Sequence, residues 1–161
     1  MNDQEQQLAS FAQEFERMEH AMLNMDGAAD MDGSFYPELR KLVSRYDEQI
    51  IVDYAINCQY PLGSIEYLIK AGIKSFDKDY LLQFTSSDEE LEAYDGAYFL
   101  ALCGYDEGYE LLYTFAMGTH PLYSGYISPI VDMIEDLAYA DDERATNLIA
   151  TIKETYAEYF K

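Results

Sequence analysis

Thiols, imidazoles and carboxylates are the side chains of this sequence that could do chemistry, and their spacing says which chemistry to look for. Histidine occurs twice, as His20 and His120, and neither has a second imidazole at metal-ligand spacing. The cysteines, Cys58 and Cys103, form no CxxC pair and no disulfide framework, so both read as small core residues in a reducing compartment. Asp30, Asp32 and Gly33 sit in a loop-like stretch, but a calcium loop drawn through them would put Ala28 at its first ligand and Leu39 at its twelfth. GxSxG, P-loop and GxGxxG patterns are absent. With 31 acidic residues, no single carboxylate pair stands out as an acid–base couple. No catalytic residue, metal or cofactor is therefore expected, and the chain reads as a binding protein rather than an enzyme.

The positive signal is electrostatic. In CGYDEGYELLYTF, residues 103–115, three tyrosines alternate with three carboxylates and no cation balances them. The whole chain carries ten Lys and Arg against those 31 acids, a formal charge of −21. Such a surface repels phosphate backbones and anionic lipid, which disfavours nucleic acid and membrane as partners and favours a basic protein. The basic residues are Arg17, Arg40, Lys41, Arg45, Lys70, Lys74, Lys78, Arg144, Lys153 and Lys161. Between Lys78 and Arg144 lie 65 residues with no Lys or Arg, holding fifteen carboxylates and nine tyrosines.

A helix face selected only for solubility mixes signs, because Glu–Lys pairs one turn apart each contribute about 0.2–0.5 kcal/mol and like pairs cost as much. This stretch forgoes that support. Tyrosine adds apolar area and a hydroxyl at little rotamer cost, as protein-binding surfaces require. At helical spacing Tyr94 shares a face with Tyr98, flanked by Asp88, Glu89, Glu92 and Asp95; Tyr105, Tyr109 and Tyr113 share another, flanked by Asp106, Glu107 and Glu110. The candidate partner-binding residues are Asp88, Glu89, Glu92, Tyr94, Asp95, Tyr105, Asp106, Glu107, Tyr109 and Glu110. Tyr98 and Tyr113 are the tyrosines expected to turn inward.

The elements that must position these residues read as helices. Leu8, Phe11, Phe15, Met18, Met22 and Met25 step by three and four, so residues 1–25 predict one amphipathic helix whose stripe packs on the rest of the domain. Residues 26–34 form a loop, and 35–161 a helical-hairpin core. Pro37 opens a helix running toward Tyr46, and others follow over 48–57 and 63–71, the last closed by Gly72. Ser75 or Asp77 caps a short helix ending near Phe84. Ser87 with Glu90 predicts a capping box for a helix closed by Gly104. Further helices are predicted from Glu107 to Met117, from the Ser128–Pro129 pair to Ala140, and from Asp141 or Asp142 to Tyr159, with THPLYSGY as a loop. No sustained period-two alternation is present. The expected class is all-α, one domain over 1–161, with about eight short helices.

YAINCQYPLGSIEYLIKAG (54–72) and LALCGYDEGYELLYTFAMG (100–118) share Ala, Tyr and Gly at equivalent positions 46 residues apart, a period that suits a helical-hairpin repeat. The first stretch resembles an ankyrin repeat, although the TPLH signature is missing. That resemblance implies stacked helical hairpins in a short α-solenoid; an irregular helical bundle is the other architecture.

In size, acidity and absence of catalytic motifs the chain looks like a bacterial immunity protein, the inhibitor made beside a toxin that is often a basic nuclease. The resemblance implies that the acidic, tyrosine-rich surface covers the toxin's active site. The alternatives are an α-solenoid adaptor for basic peptides or proteins and a nucleic-acid mimic. The N-terminal MNDQEQQ lacks the pattern of a signal peptide and no apolar run approaches a membrane span, so a cytoplasmic location is expected. The oligomeric state stays open, with a monomer favoured.

Overall fold

The computed structural model describes residues 2–23, 35–117, 132–133, 136–137 and 143–155. Among them are eight named α-helices, one 3₁₀ turn and no β-strand, which is the all-α class the sequence predicts. The loop expected at 26–34, the THPLYSGY segment, the Ser128–Pro129 pair and Gly118 lie outside the described residues. By its contacts the chain divides into two compact units, 1–75 and 76–161.

The first unit contains α1 (Asp3–Leu23), α2 (Tyr36–Val43), α3 (Glu48–Asn57) and α4 (Pro61–Lys70). Phe11, Phe15 and Met22 on the α1 stripe are buried, and α1 packs on α3 and α2. Phe11 stacks on Phe15 at 5.7 Å and meets Tyr46 and Tyr54 edge-on, the arrangement that aromatic quadrupoles favour. Burying each such ring stabilises the unit by about 1.5–3 kcal/mol. At the start of α3, the Asp47 side chain accepts a hydrogen bond from the Gln49 N–H at 2.9 Å, satisfying a donor that the helix cannot. The end of α4 is a Schellman turn: Gly72 has φ 110°, its N–H donates to Ile69 O, and the Ile73 N–H donates to Leu68 O.

The second unit contains α5 (Lys78–Leu82), the 3₁₀ turn (Gln83–Ser86), α6 (Glu90–Leu102), α7 (Asp106–Ala116) and α8 (Glu143–Thr155). Asp77 caps α5 by accepting from the Tyr80 N–H at 3.0 Å. The expected Ser87–Glu90 capping box does not form. Ser87 Oγ accepts from the Glu89 N–H, two residues on, and Glu89 takes the N-cap position without a side-chain cap. Gly104, at φ 87°, ends α6 in a second Schellman turn, with Tyr105 N–H donating to Leu100 O.

Only three residues separate α6 from α7, so the two helices run antiparallel. Tyr94 meets Phe115 at 4.9 Å between ring centroids, and at the other end Gly108 lies against Ala97 and Ala101. A Cβ at Gly108 would stand 2.2 Å from Ala101 N, so glycine is required for this approach. Gly96 serves the same purpose on the opposite side, where a Cβ would meet Phe84 Cβ at 2.9 Å.

Candidate interaction surface

The ten candidate partner-binding residues all fall within the described part of the second unit, but the fold sorts them into different environments. Tyr94 is 0% exposed and Tyr109 only 8%, so neither ring is the exposed anchor expected. Both sit on the α6–α7 contact, where the demand for apolar volume outweighs the hydroxyl's preference for water. Tyr98, expected inside, is buried; Tyr113, also expected inside, is instead 44% exposed. Tyr105 is half-buried and donates its hydroxyl to Phe76 O at 2.9 Å, and burial raises its pKa above the ordinary phenol value.

The carboxylates separate by position along the hairpin. Because α6 and α7 are antiparallel, Asp88, Glu89 and Glu92 mark one end and Asp106, Glu107 and Glu110 the other, separated by about 20 Å at 1.5 Å per residue. Both groups stand at helix N-termini, where the macrodipole favours negative charge. This is the local support that lysines one turn away would otherwise supply.

The second group is not uncompensated. Lys78 and Arg144, the two cations that bound the cation-free stretch in sequence, both reach the first turn of α7. Lys78 Nζ lies 2.8 Å from Glu107 Oε2, and this hydrogen bond and charge hold the Glu107 pKa below its ordinary value and the Lys78 pKa above it. Arg144 pairs with Asp106 and places its guanidinium 4.2 Å from the centroid of the Tyr109 ring. Both contacts were invisible as sequence motifs, since 28 and 37 residues separate the pairs.

At the α6 end the pattern differs. Asp88 and Glu89 are exposed, Glu92 and Asp95 are half-exposed, and no ion pair among the described residues reaches Asp88, Glu89 or Glu92. Between them Leu91 is 61% exposed, a feature absent from the sequence-based candidate set. Phase could not have found it: Leu91 stands three residues before Tyr94 and seven before Tyr98, so helical spacing puts it on the side of those buried rings, yet in the first turn of α6 it is left exposed.

The first unit carries charge differently. A groove of about 550 Å³ between α1 and α2 is lined by Glu14, Arg17, Met18, Glu38, Lys41, Leu42, Ser44 and Arg45. Two of its three cations pair with carboxylates: Lys41 with Glu38 at 3.1 Å and Arg45 with Glu14 at 3.3 Å. Glu14 also accepts from the Tyr46 hydroxyl at 2.7 Å, the main reason its pKa is lowered.

Among the described residues no group of three or more His, Cys, Asp or Glu could hold a metal ion, and no helix is long and apolar enough to cross a membrane. Comparison with protein-family models, curated proteins and solved structures finds no match to this chain.

Proposed function

We propose that this chain is an immunity-type inhibitor that binds a basic toxin, such as a nuclease, and blocks its active site through the acidic surface of the second unit. The observation that carries the proposal is the α6 amino-terminal end, where Asp88, Glu89 and Glu92 flank the exposed Leu91 in sequence and no ion pair among the described residues reaches them. An exposed apolar side chain at a helix start that also carries charge of one sign suits a cationic surface with a small apolar recess. The charges speed encounter and the buried leucine slows release. The partner's basic substrate cleft is the complementary surface, because a cleft that holds phosphates presents Lys and Arg.

The test is capture of partners from the source cell by the tagged protein at low and then moderate salt, identified by mass spectrometry. One stoichiometric basic protein that survives the salt step, and whose activity falls when the complex forms, supports the inhibitor. Asp88→Lys with Glu92→Lys should then weaken capture while leaving helical circular dichroism unchanged. A broad set of basic proteins that washes away would instead support the adaptor reading.

A further inference from the structure

The contact made by Arg144 is unusual for its own helix. Arg144 is the second residue of α8, in the turn where the macrodipole is positive and a cation is disfavoured. On α7, Asp106 Oδ1 accepts a hydrogen bond from one guanidinium N–H, and the guanidinium carbon stands 4.2 Å from the centroid of the Tyr109 ring. One turn beyond Asp106, Glu110 is exposed, and no ion pair among the described residues engages its carboxylate. A carboxylate, an aromatic face at cation–π distance and a second carboxylate one turn away together form a receptor for guanidinium.

We infer that Asp106 and Tyr109 form a guanidinium-binding site that Arg144 fills in the free protein and an arginine of the basic partner fills in the complex, with Glu110 taking a second cation of the same partner segment. This rests on the reading of the chain as a binder of basic proteins. The incoming arginine reproduces the contacts of Arg144, and the second cation taken by Glu110 supplies the surplus that makes the exchange favourable. Arginine is required rather than lysine, because only the planar guanidinium both stacks on the ring and donates in parallel to a carboxylate. The region thus keeps its most specific contact covered until a partner displaces the internal cation.

The probe is a fluorescein-labelled tetra-arginine peptide, with tetra-lysine as control, titrated by fluorescence anisotropy. Arg144→Ala should bind tetra-arginine about tenfold more tightly than the natural chain, the factor expected from losing one internal competitor of this kind. The gain for tetra-lysine should be clearly smaller, and adding Asp106→Asn to Arg144→Ala should remove the arginine-specific gain. Arg144→Lys, which keeps the charge but loses the planar stack, should fall between. It also serves as the test if circular dichroism shows that Arg144→Ala unfolds.

Unchanged tetra-arginine affinity in a folded variant overturns the site. So does an equal gain for both peptides, which would reflect net charge alone. Arginine-specific gain without a basic protein in the cell capture keeps the guanidinium site and removes the toxin reading. A captured toxin without that gain removes the site and keeps the reading.

Discussion

The two hairpins α3–α4 and α6–α7 start from similar sequence and end in different places. Each joins its helices through a three-residue link that begins with cysteine and ends with tyrosine, Cys58–Gln59–Tyr60 and Cys103–Gly104–Tyr105. Cys58 leaves its helix in an extended conformation with ψ 172°, whereas Cys103 stays helical and Gly104 turns the chain at positive φ. The two tyrosines diverge accordingly: Tyr60 is 72% exposed, and Tyr105 is anchored to Phe76 O.

The buried positions of the second helix shift as well. Ile65, Leu68 and Ile69 in α4 correspond in burial to Leu112, Phe115 and Ala116 in α7, one residue further along than the sequence alignment places them. A one-residue slip rotates a helix face by about 100°. The repeat therefore predicts where hairpins form without predicting which face each helix turns inward.

Charge separates the units in the same way. The first has six basic and thirteen acidic residues, net −7; the second has four and eighteen, net −14. In the first unit Arg45 and Lys41 pair with nearby carboxylates. In the second, the ion pairs among the described residues that reach the hairpin carboxylates are those of Lys78 and Arg144, and both go to the same helix start. Carboxylates at both ends of one hairpin, with ion pairs among the described residues reaching only one end, are a more specific feature than acidity of composition.

Glycine at the third position of α4 and of α7 offers the sharpest way to break the likeness. Gly108→Ala should cost at least about 3 kcal/mol in chemical denaturation, since the backbone atoms it would strike cannot move without parting α6 from α7. Gly63→Ala meets nothing within 4 Å and should stabilise by about 0.5 kcal/mol, through helix propensity and a less flexible unfolded chain. Equal effects at both sites would mean that the hairpins pack alike after all.

Tyr109→Ala should lower stability by about 3 kcal/mol, as a buried aromatic does, and the folded fraction should also bind tetra-arginine more weakly, having lost the ring that faces the guanidinium. A variant with an unchanged melting temperature would return Tyr109 to the surface. Smaller again, Asp47→Ala and Asp77→Ala should each cost about 1 kcal/mol, because each removes one capping hydrogen bond, one in either unit. The cap prediction fails if either variant unfolds at the same urea midpoint as the natural chain.

The smallest expected effect is the pH dependence of the Lys78–Glu107 pair. Glu107 has a lowered folded pKa, so its contribution is present above the ordinary carboxylate value of 4.5 and disappears as pH falls below that through the folded value. Lys78 has a raised pKa, so its share is complete below its ordinary 10.5 and disappears as pH rises through the higher folded value. Glu107→Gln should flatten the acid limb of the stability curve slightly. An identical acid limb in natural and variant chains would show that the pair contributes nothing measurable.

Local chemistry in the sequence was enough for the helices themselves. The three- and four-residue stripe of α1, the Asp77 cap and the closing glycines Gly72 and Gly104 each act through groups a few residues away, so the chain encodes them in short words. The concentration of carboxylates between Lys78 and Arg144 was equally legible. Which carboxylates remain unopposed was not, because Lys78 and Arg144 meet Glu107 and Asp106 across 28 and 37 intervening residues. Nor was the burial of Tyr94 and Tyr109 or the exposure of Leu91 and Tyr113, since tyrosine suits core and surface alike and only the rotation of α6 against α7 chooses between them. Helix formation is a property of neighbours along the chain; a surface is a property of neighbours in space, and those exist only once the hairpin has closed.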